Sequence, residues 1–152
     1  MFLALDLETT GLLPRHDKII EVAAMRVNEQ GEILETFHRL IHPGVPIPHI
    51  ITHLTGITNE AVDGAPSFGD IRDELTAFIG DLPILGHSVM FDIGFLQANG
   101  ISLTNPVLDT FQLAQALLPK EPSYSLEILS EKYELPHANK HRADDDTRVA
   151  IE

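Results

Sequence analysis

The chain has 152 residues, which suits one domain with a sizeable core. It is 43% hydrophobic and 22% charged, and it shows neither a signal peptide nor an apolar run of membrane-spanning length, so no membrane association is expected. A formal charge of -13 argues against a sequence-reading duplex binder with a broad basic face, and the lack of cysteine excludes disulfides and thiolate metal sites and fits a reducing cytoplasm.

Phe2 to Glu8 predicts a first strand. Leu3, Leu5 and Leu7 alternate with Ala4, Asp6 and Glu8, so the two carboxylates share a face, with α-carbons roughly 6.6 Å apart. Gly11 to Lys18 reads as a loop and Ile19 to Val27 as a second strand. Asn28 to Gly31 reads as a hairpin turn, and Glu32 to Ile41 as a strand returning antiparallel. His42 to Pro48 is proline-rich and irregular. Thr58 suits the cap of a short helix, while His53 to Thr58 reads locally as a turn. Ser67 is placed to cap a helix running to Ile79, with Ile71, Leu75, Phe78 and Ile79 at helical spacing.

Further along, Pro83 to His87 and Pro106 to Asp109 read as short strands. Phe91 to Asn99 reads as a helix stopped by Gly100, Thr110 to Leu118 as one closed by Pro119, and Ser125 to Tyr133 as another. After a polar loop from Pro136 to Arg142, a last helix begins near Ala143. No cap signal follows Ile151 and Glu152, so residues 1–152 are expected to be a single domain cut from something longer. Strands first, then strands alternating with helices, predict an α/β fold. Three hairpin-connected strands with parallel additions resemble the ribonuclease-H-like mixed five-stranded sheet flanked by helices, a comparison by analogy.

Two acids side by side on a core strand repel each other and lose hydration, which a divalent cation between them offsets. Oxygen-only ligands favour Mg²⁺ or Mn²⁺ over zinc. The competing reading of Asp6 and Glu8 is an edge strand with a wet face. Asp92 near a helix start is either a ligand or an acid offsetting the helix dipole, and Asp144, Asp145 and Asp146 are either ligands or the charged start of a solvated helix. Lys140, Arg142, Arg15 and Lys18 offer local basic help or are ordinary surface. His137 and His141 have i, i+4 spacing that would suit zinc on a helix, but Pro136 and the polar loop favour two exposed histidines.

Taken together, Asp6-Leu-Glu8-Thr-Thr-Gly11, His87 to Asp92-Ile-Gly-Phe-Leu96, and His141-x4-Asp146 resemble the three motifs of the DEDDh 3′→5′ exonucleases. The likeness is to the branch that holds the proofreading epsilon subunit of bacterial DNA polymerase III, and it spans Phe2 to Ala150. It implies that Asp6, Glu8, Asp92 and Asp146 hold two Mg²⁺ or Mn²⁺ ions and that His141 is the general base. Asp146 is chosen among its neighbours because the histidine subclass has four residues between His and Asp. Thr10, Gly11 and Leu54 match positions near the 3′-terminal nucleotide, with His87 and Ser88 also on the substrate side. Ser88 stands where the family often has Asn.

The implied activity is two-metal hydrolysis releasing nucleoside monophosphates from single-stranded DNA 3′ ends, in proofreading or repair. The implied partner is a DNA polymerase or helicase, as a separate subunit or fused domain. The chemistry agrees: two metals about 3.5–4 Å apart stabilise attacking and leaving oxygens, and histidine, with a reference pKa of about 6.5, accepts a proton near neutrality. The alternatives are an RNA exonuclease of the same family and a non-catalytic module that binds nucleic-acid ends or a partner.

Overall fold

The computed structural model describes residues 1–118 and 120–152. Its five strands are β1 (Phe2–Thr9), β2 (Ile19–Val27), β3 (Ile33–Leu40), β4 (Ile84–Gly86) and β5 (Val107–Asp109). The helices are α1 (His49–Thr55), α2 (Asn59–Val62), α3 (Phe68–Ile79), α4 (Met90–Ala98), α5 (Thr110–Leu117), α6 (Leu126–Lys132) and α7 (Ala143–Ile151). Pro119, expected to close α5, lies outside the described residues. Among the described residues no helix is long and apolar enough to cross a membrane.

The strands form one sheet in the order β3-β2-β1-β4-β5. β1 and β2 pair antiparallel, as do β2 and β3, whereas β4 joins β1 in parallel and β5 joins β4 in parallel. β1 is therefore central, which removes the edge-strand reading of its acids.

Period-two alternation gives β1 two different faces. Leu3, Leu5 and Leu7 join Val22 and Ala24 of β2, Ile71, Leu75 and Ile79 of α3, and Ile93, Phe95 and Leu96 of α4 in the main core. Each fully buried leucine contributes roughly 1.5–3 kcal/mol of transfer free energy. On the other face Ala4, Met25 and Val27 pack with Leu85 and with Ile151 of α7. Asp6 and Glu8 follow Ala4 on this face, so the helix that carries Asp146 lies over the strand that carries the other two acids.

The ladder slips by one residue between Glu8 and Thr9. Beyond that bulge a small separate core forms from Ile20, Ile47, Ile57 and Val62, with Ile51 of α1 packed against it. α1 replaces the expected turn. It begins after Pro48 and is closed by Gly56 in the left-handed conformation (φ 74°), whose N–H donates to the Thr52 carbonyl. Thr58 caps α2 as its position suggested, accepting from the Ala61 N–H.

Candidate active site

Asp6 lies opposite Ala23 and Glu8 opposite Glu21 in the β1–β2 ladder. The small Ala23 leaves room beside Asp6. The start of α7 then brings Asp146 to the same place, and one carboxylate oxygen from each of Asp6, Glu8 and Asp146 lies within 4.8 Å of the others. Burial, followed by the charges of Asp92, Glu8 and Asp146, raises the Asp6 pKa well above the carboxylate range. Burial, followed by Asp146 and Glu21, pushes Glu8 up to about 8. Burial also raises Asp146, against the pull of His137. Hard oxygen donors this close, discharged only by holding protons, are a fitting set for a divalent cation, which would replace those protons.

Asp92 stands just outside that trio. β4 ends at Gly86, leaving the Leu7 N–H without a strand partner on that side, and Asp92 Oδ1 accepts it at 3.0 Å. Asp92 is only 3% exposed, and burial raises its pKa although the Leu7 N–H lowers it. Gly86 is required for this close approach, because a Cβ there would sit 2.6 Å from the Leu5 carbonyl oxygen.

Glu21, which was not singled out in the sequence, is the fully buried partner that holds α7 in place. Its Oε2 accepts the Ala143 N–H at 3.0 Å, a helix cap supplied by a strand, since Arg142 at the cap position makes no side-chain cap bond. His38 Nε2 reaches Oε1 at 2.8 Å, and Arg142 binds both oxygens. Burial alone would raise the Glu21 pKa, but the bonds from His38, Arg142 and Ala143 outweigh it and hold the group at about 2. Glu21 therefore stays ionised opposite Glu8, its charge shared with Arg142 and His38, and still adds to the upward push on Glu8. His141, next to this clamp, sits in the left-handed region at φ 57°, an unfavourable backbone that its fixed neighbours maintain.

Two expectations for this segment are corrected. Arg142 is not free surface, because its Nε and Nη2 are bonded to Glu21, whereas Lys140 makes exposed ion pairs with Glu127 and Glu131 of α6 and lines the same cavity as His141. His137 is not exposed: its side chain is 5% accessible, with Nε2 2.6 Å from Asp146 Oδ1. Polar loop composition concealed this, because the partner is supplied only by the fold.

His141 and Asp146 line a cavity of about 470 Å³ together with His87, Ser88, Phe111 and Tyr124. His87 Nδ1 lies 3.0 Å from Thr110 Oγ1, and its Nε2 is buried with no hydrogen-bond partner among the described residues. Ser88 is left-handed at φ 58°, its N–H donating to Asp109 Oδ1. Thr10 is tied to Lys18 by two hydrogen bonds, and a Cβ on Gly11 would lie 2.5 Å from the Asp17 carboxylate. Leu54 is 48% exposed on α1. Arg15 lines a different cavity, beside Leu13, Gly94 and Gln97.

The exonuclease family model matches residues 3–152. The chain belongs to this family. It is 36% identical over 155 residues to the PolC-type DNA polymerase III of Clostridium perfringens, covering 99% of this chain and 11% of that protein. It is 38% identical over 154 residues to the 3′-5′ exonuclease DinG of Bacillus subtilis, covering 97% of this chain and 16% of that protein. The chain therefore spans only a small part of either relative.

Among solved structures, Escherichia coli exonuclease I in complex with a dT13 oligonucleotide superposes with a TM-score of 0.85 at 22% identity, covering 99% of this chain and 39% of that one. Exonuclease X in complex with 5′ overhanging duplex DNA gives 0.78 at 24% identity, covering 99% and 88%. These likenesses establish the fold and agree with the ribonuclease-H-like sheet expected from element order.

Proposed function

We propose that this exonuclease-family chain is a divalent-metal-dependent 3′→5′ exonuclease domain that releases nucleoside monophosphates from single-stranded DNA ends. The observation that carries the reading is the convergence of Asp6, Glu8 and Asp146 within 4.8 Å. The name of the Bacillus relative supports the direction, and the oligonucleotide bound to exonuclease I supports the substrate.

In this reading Asp6, Glu8, Asp92 and Asp146 hold two Mg²⁺ or Mn²⁺ ions. When bound, the pair would stabilise the attacking and leaving oxygens of an in-line displacement. His141, lining the same cavity as Asp146, takes the proton of the attacking water. Thr10 and Gly11 hold the terminal nucleotide with the loop backbone, and Leu54 wedges its apolar side chain against the last base. His87 and Ser88 line the substrate side of the cavity that contains His141. A charge of -13 disfavours unaided grip on a polyanion, so a polymerase or helicase, as a separate subunit or fused domain, supplies part of the affinity in replication or repair.

The test is digestion of a 5′-labelled single-stranded DNA oligonucleotide with Mg²⁺ or Mn²⁺, beside EDTA, Asp6→Ala and RNA lanes. A metal-dependent ladder shortening from the 3′ end and absent in the variant supports the reading. Intact DNA beside degraded RNA would move the substrate to RNA, and intact DNA and RNA together would favour the non-catalytic module.

A further inference from the structure

We propose that His137 is a positioning residue for the metal centre, clamping Asp146 in the orientation that leaves one of its oxygens for a cation. The inference rests on the metal-site reading above and extends it to a residue outside the family motifs quoted for this chain.

Both ring nitrogens of His137 are engaged. Nδ1 lies 2.9 Å from Ser130 Oγ and Nε2 2.6 Å from Asp146 Oδ1. The Ser130 hydroxyl spends its hydrogen on the Glu127 carbonyl, 2.9 Å away. It therefore accepts at its other side, so Nδ1 must carry a hydrogen. That fixes the ring and aims Nε2 at Asp146 Oδ1, 2.6 Å away.

Ser130 is itself 1% exposed, so the chain from the Glu127 carbonyl through Ser130 and His137 to Asp146 is sheltered from competing water. The loop carrying His137 is anchored at both ends. Leu135 N–H donates to the Ser130 carbonyl, and Asn139 donates its backbone N–H and its side-chain amide to Asp145 Oδ2. An aspartate side chain turns freely about its terminal bond unless something holds one oxygen. Here His137 supplies that hold from outside the metal ligands, the arrangement in which an outer partner orients a ligating carboxylate.

The experiment is calorimetric titration of Mn²⁺ into metal-free protein at one pH, for wild type, Asp146→Ala, His137→Ala and His137→Gln. Gln places a terminal amide at about the reach of Nε2 and restores a hydrogen-bonding partner for Oδ1 without the ring. His137→Ala is expected to bind Mn²⁺ roughly 10–100-fold more weakly. His137→Gln should recover most of that loss, with circular dichroism unchanged in both. Ser130→Ala, which removes only the partner of Nδ1, is expected to weaken binding severalfold and carries the test if His137→Ala does not fold.

Wild-type affinity in His137→Ala, or a glutamine variant as weak as alanine, would overturn the positioning role while leaving the metal site intact. Absence of Mn²⁺ binding in wild type, or unchanged binding in Asp146→Ala, would instead overturn the metal-site reading and this inference with it.

Discussion

Arg142 grips the fully buried carboxylate of Glu21 with two nitrogens, Nη2 2.6 Å from Oε1 and Nε 3.1 Å from Oε2. These residues are 121 positions apart, and their contact fixes the start of α7 against β2. His141 immediately precedes this anchor and Asp146 lies one turn after it. The geometry of the candidate base and of one candidate ligand therefore depends on a strand residue that touches neither.

Arg142→Ala leaves the Glu21 carboxylate buried with only His38 and the Ala143 N–H. Arg142 is part-exposed but Glu21 is not, so the buried carboxylate loses its charge-assisted bonds, and urea unfolding should show a loss of about 1.5–3 kcal/mol. Arg142→Lys should not restore it, because a single ammonium cannot reproduce the two-nitrogen grip. Nuclease activity should fall in both variants even well below the melting temperature.

The clamp also sets an acid limit. Glu21 is held at about 2, below its ordinary value of 4.5. A depressed carboxylate stabilises the fold above its unfolded pKa and loses that contribution as pH falls through the folded one. Tm should therefore fall between about pH 4.5 and 2, and Glu21→Gln should show a shallower acid slope together with a lower Tm at neutral pH.

Glu8 predicts the opposite slope in metal-free protein. Its pKa is raised from 4.5 to about 8, so the native state binds a proton that the unfolded state has released across this window. Metal-free Tm should decline as pH rises from 4.5 to 8, and Glu8→Gln should flatten the decline. Divalent cation at about 100 times its Kd should return about 2.7 kcal/mol at pH 8. An EDTA-treated sample whose Tm is flat across this range would contradict the crowded-carboxylate account.

Ser88 occupies a left-handed backbone at φ 58°. Asn tolerates this region better than Ser, because its short polar side chain bonds locally. Ser88→Asn should therefore stabilise the protein by up to about 1 kcal/mol, read as a rise in Tm. The finding also supplies a backbone reason for the Asn that the resembling family often carries there.

Much of the frame is legible from local rules. β2 begins and ends where its apolar run does, Ser67 and Asp70 bond at the start of α3, and Asn28 accepts from Gln30 and Glu32 to build the hairpin turn. Asp6 and Glu8 share a face because a strand has period two. α1 was hidden because it is only seven residues long and runs into Gly56 and Thr58, which read locally as a turn. Glu21 sits in a strand with no local sign of its partners. His137 is in a polar loop whose composition suggests solvent. In both cases the role is set by residues that only the folded chain brings near, His38 and Arg142 for one, Ser130 and Asp146 for the other.

An anomalous-scattering map from crystals soaked in Mn²⁺ tests the carboxylate metal site without relying on activity. Density is expected between Asp6, Glu8 and Asp146, with metal–oxygen distances of about 2.0–2.3 Å. Mn²⁺ bound elsewhere, or no peak among these carboxylates at a concentration that supports cleavage, would contradict that site.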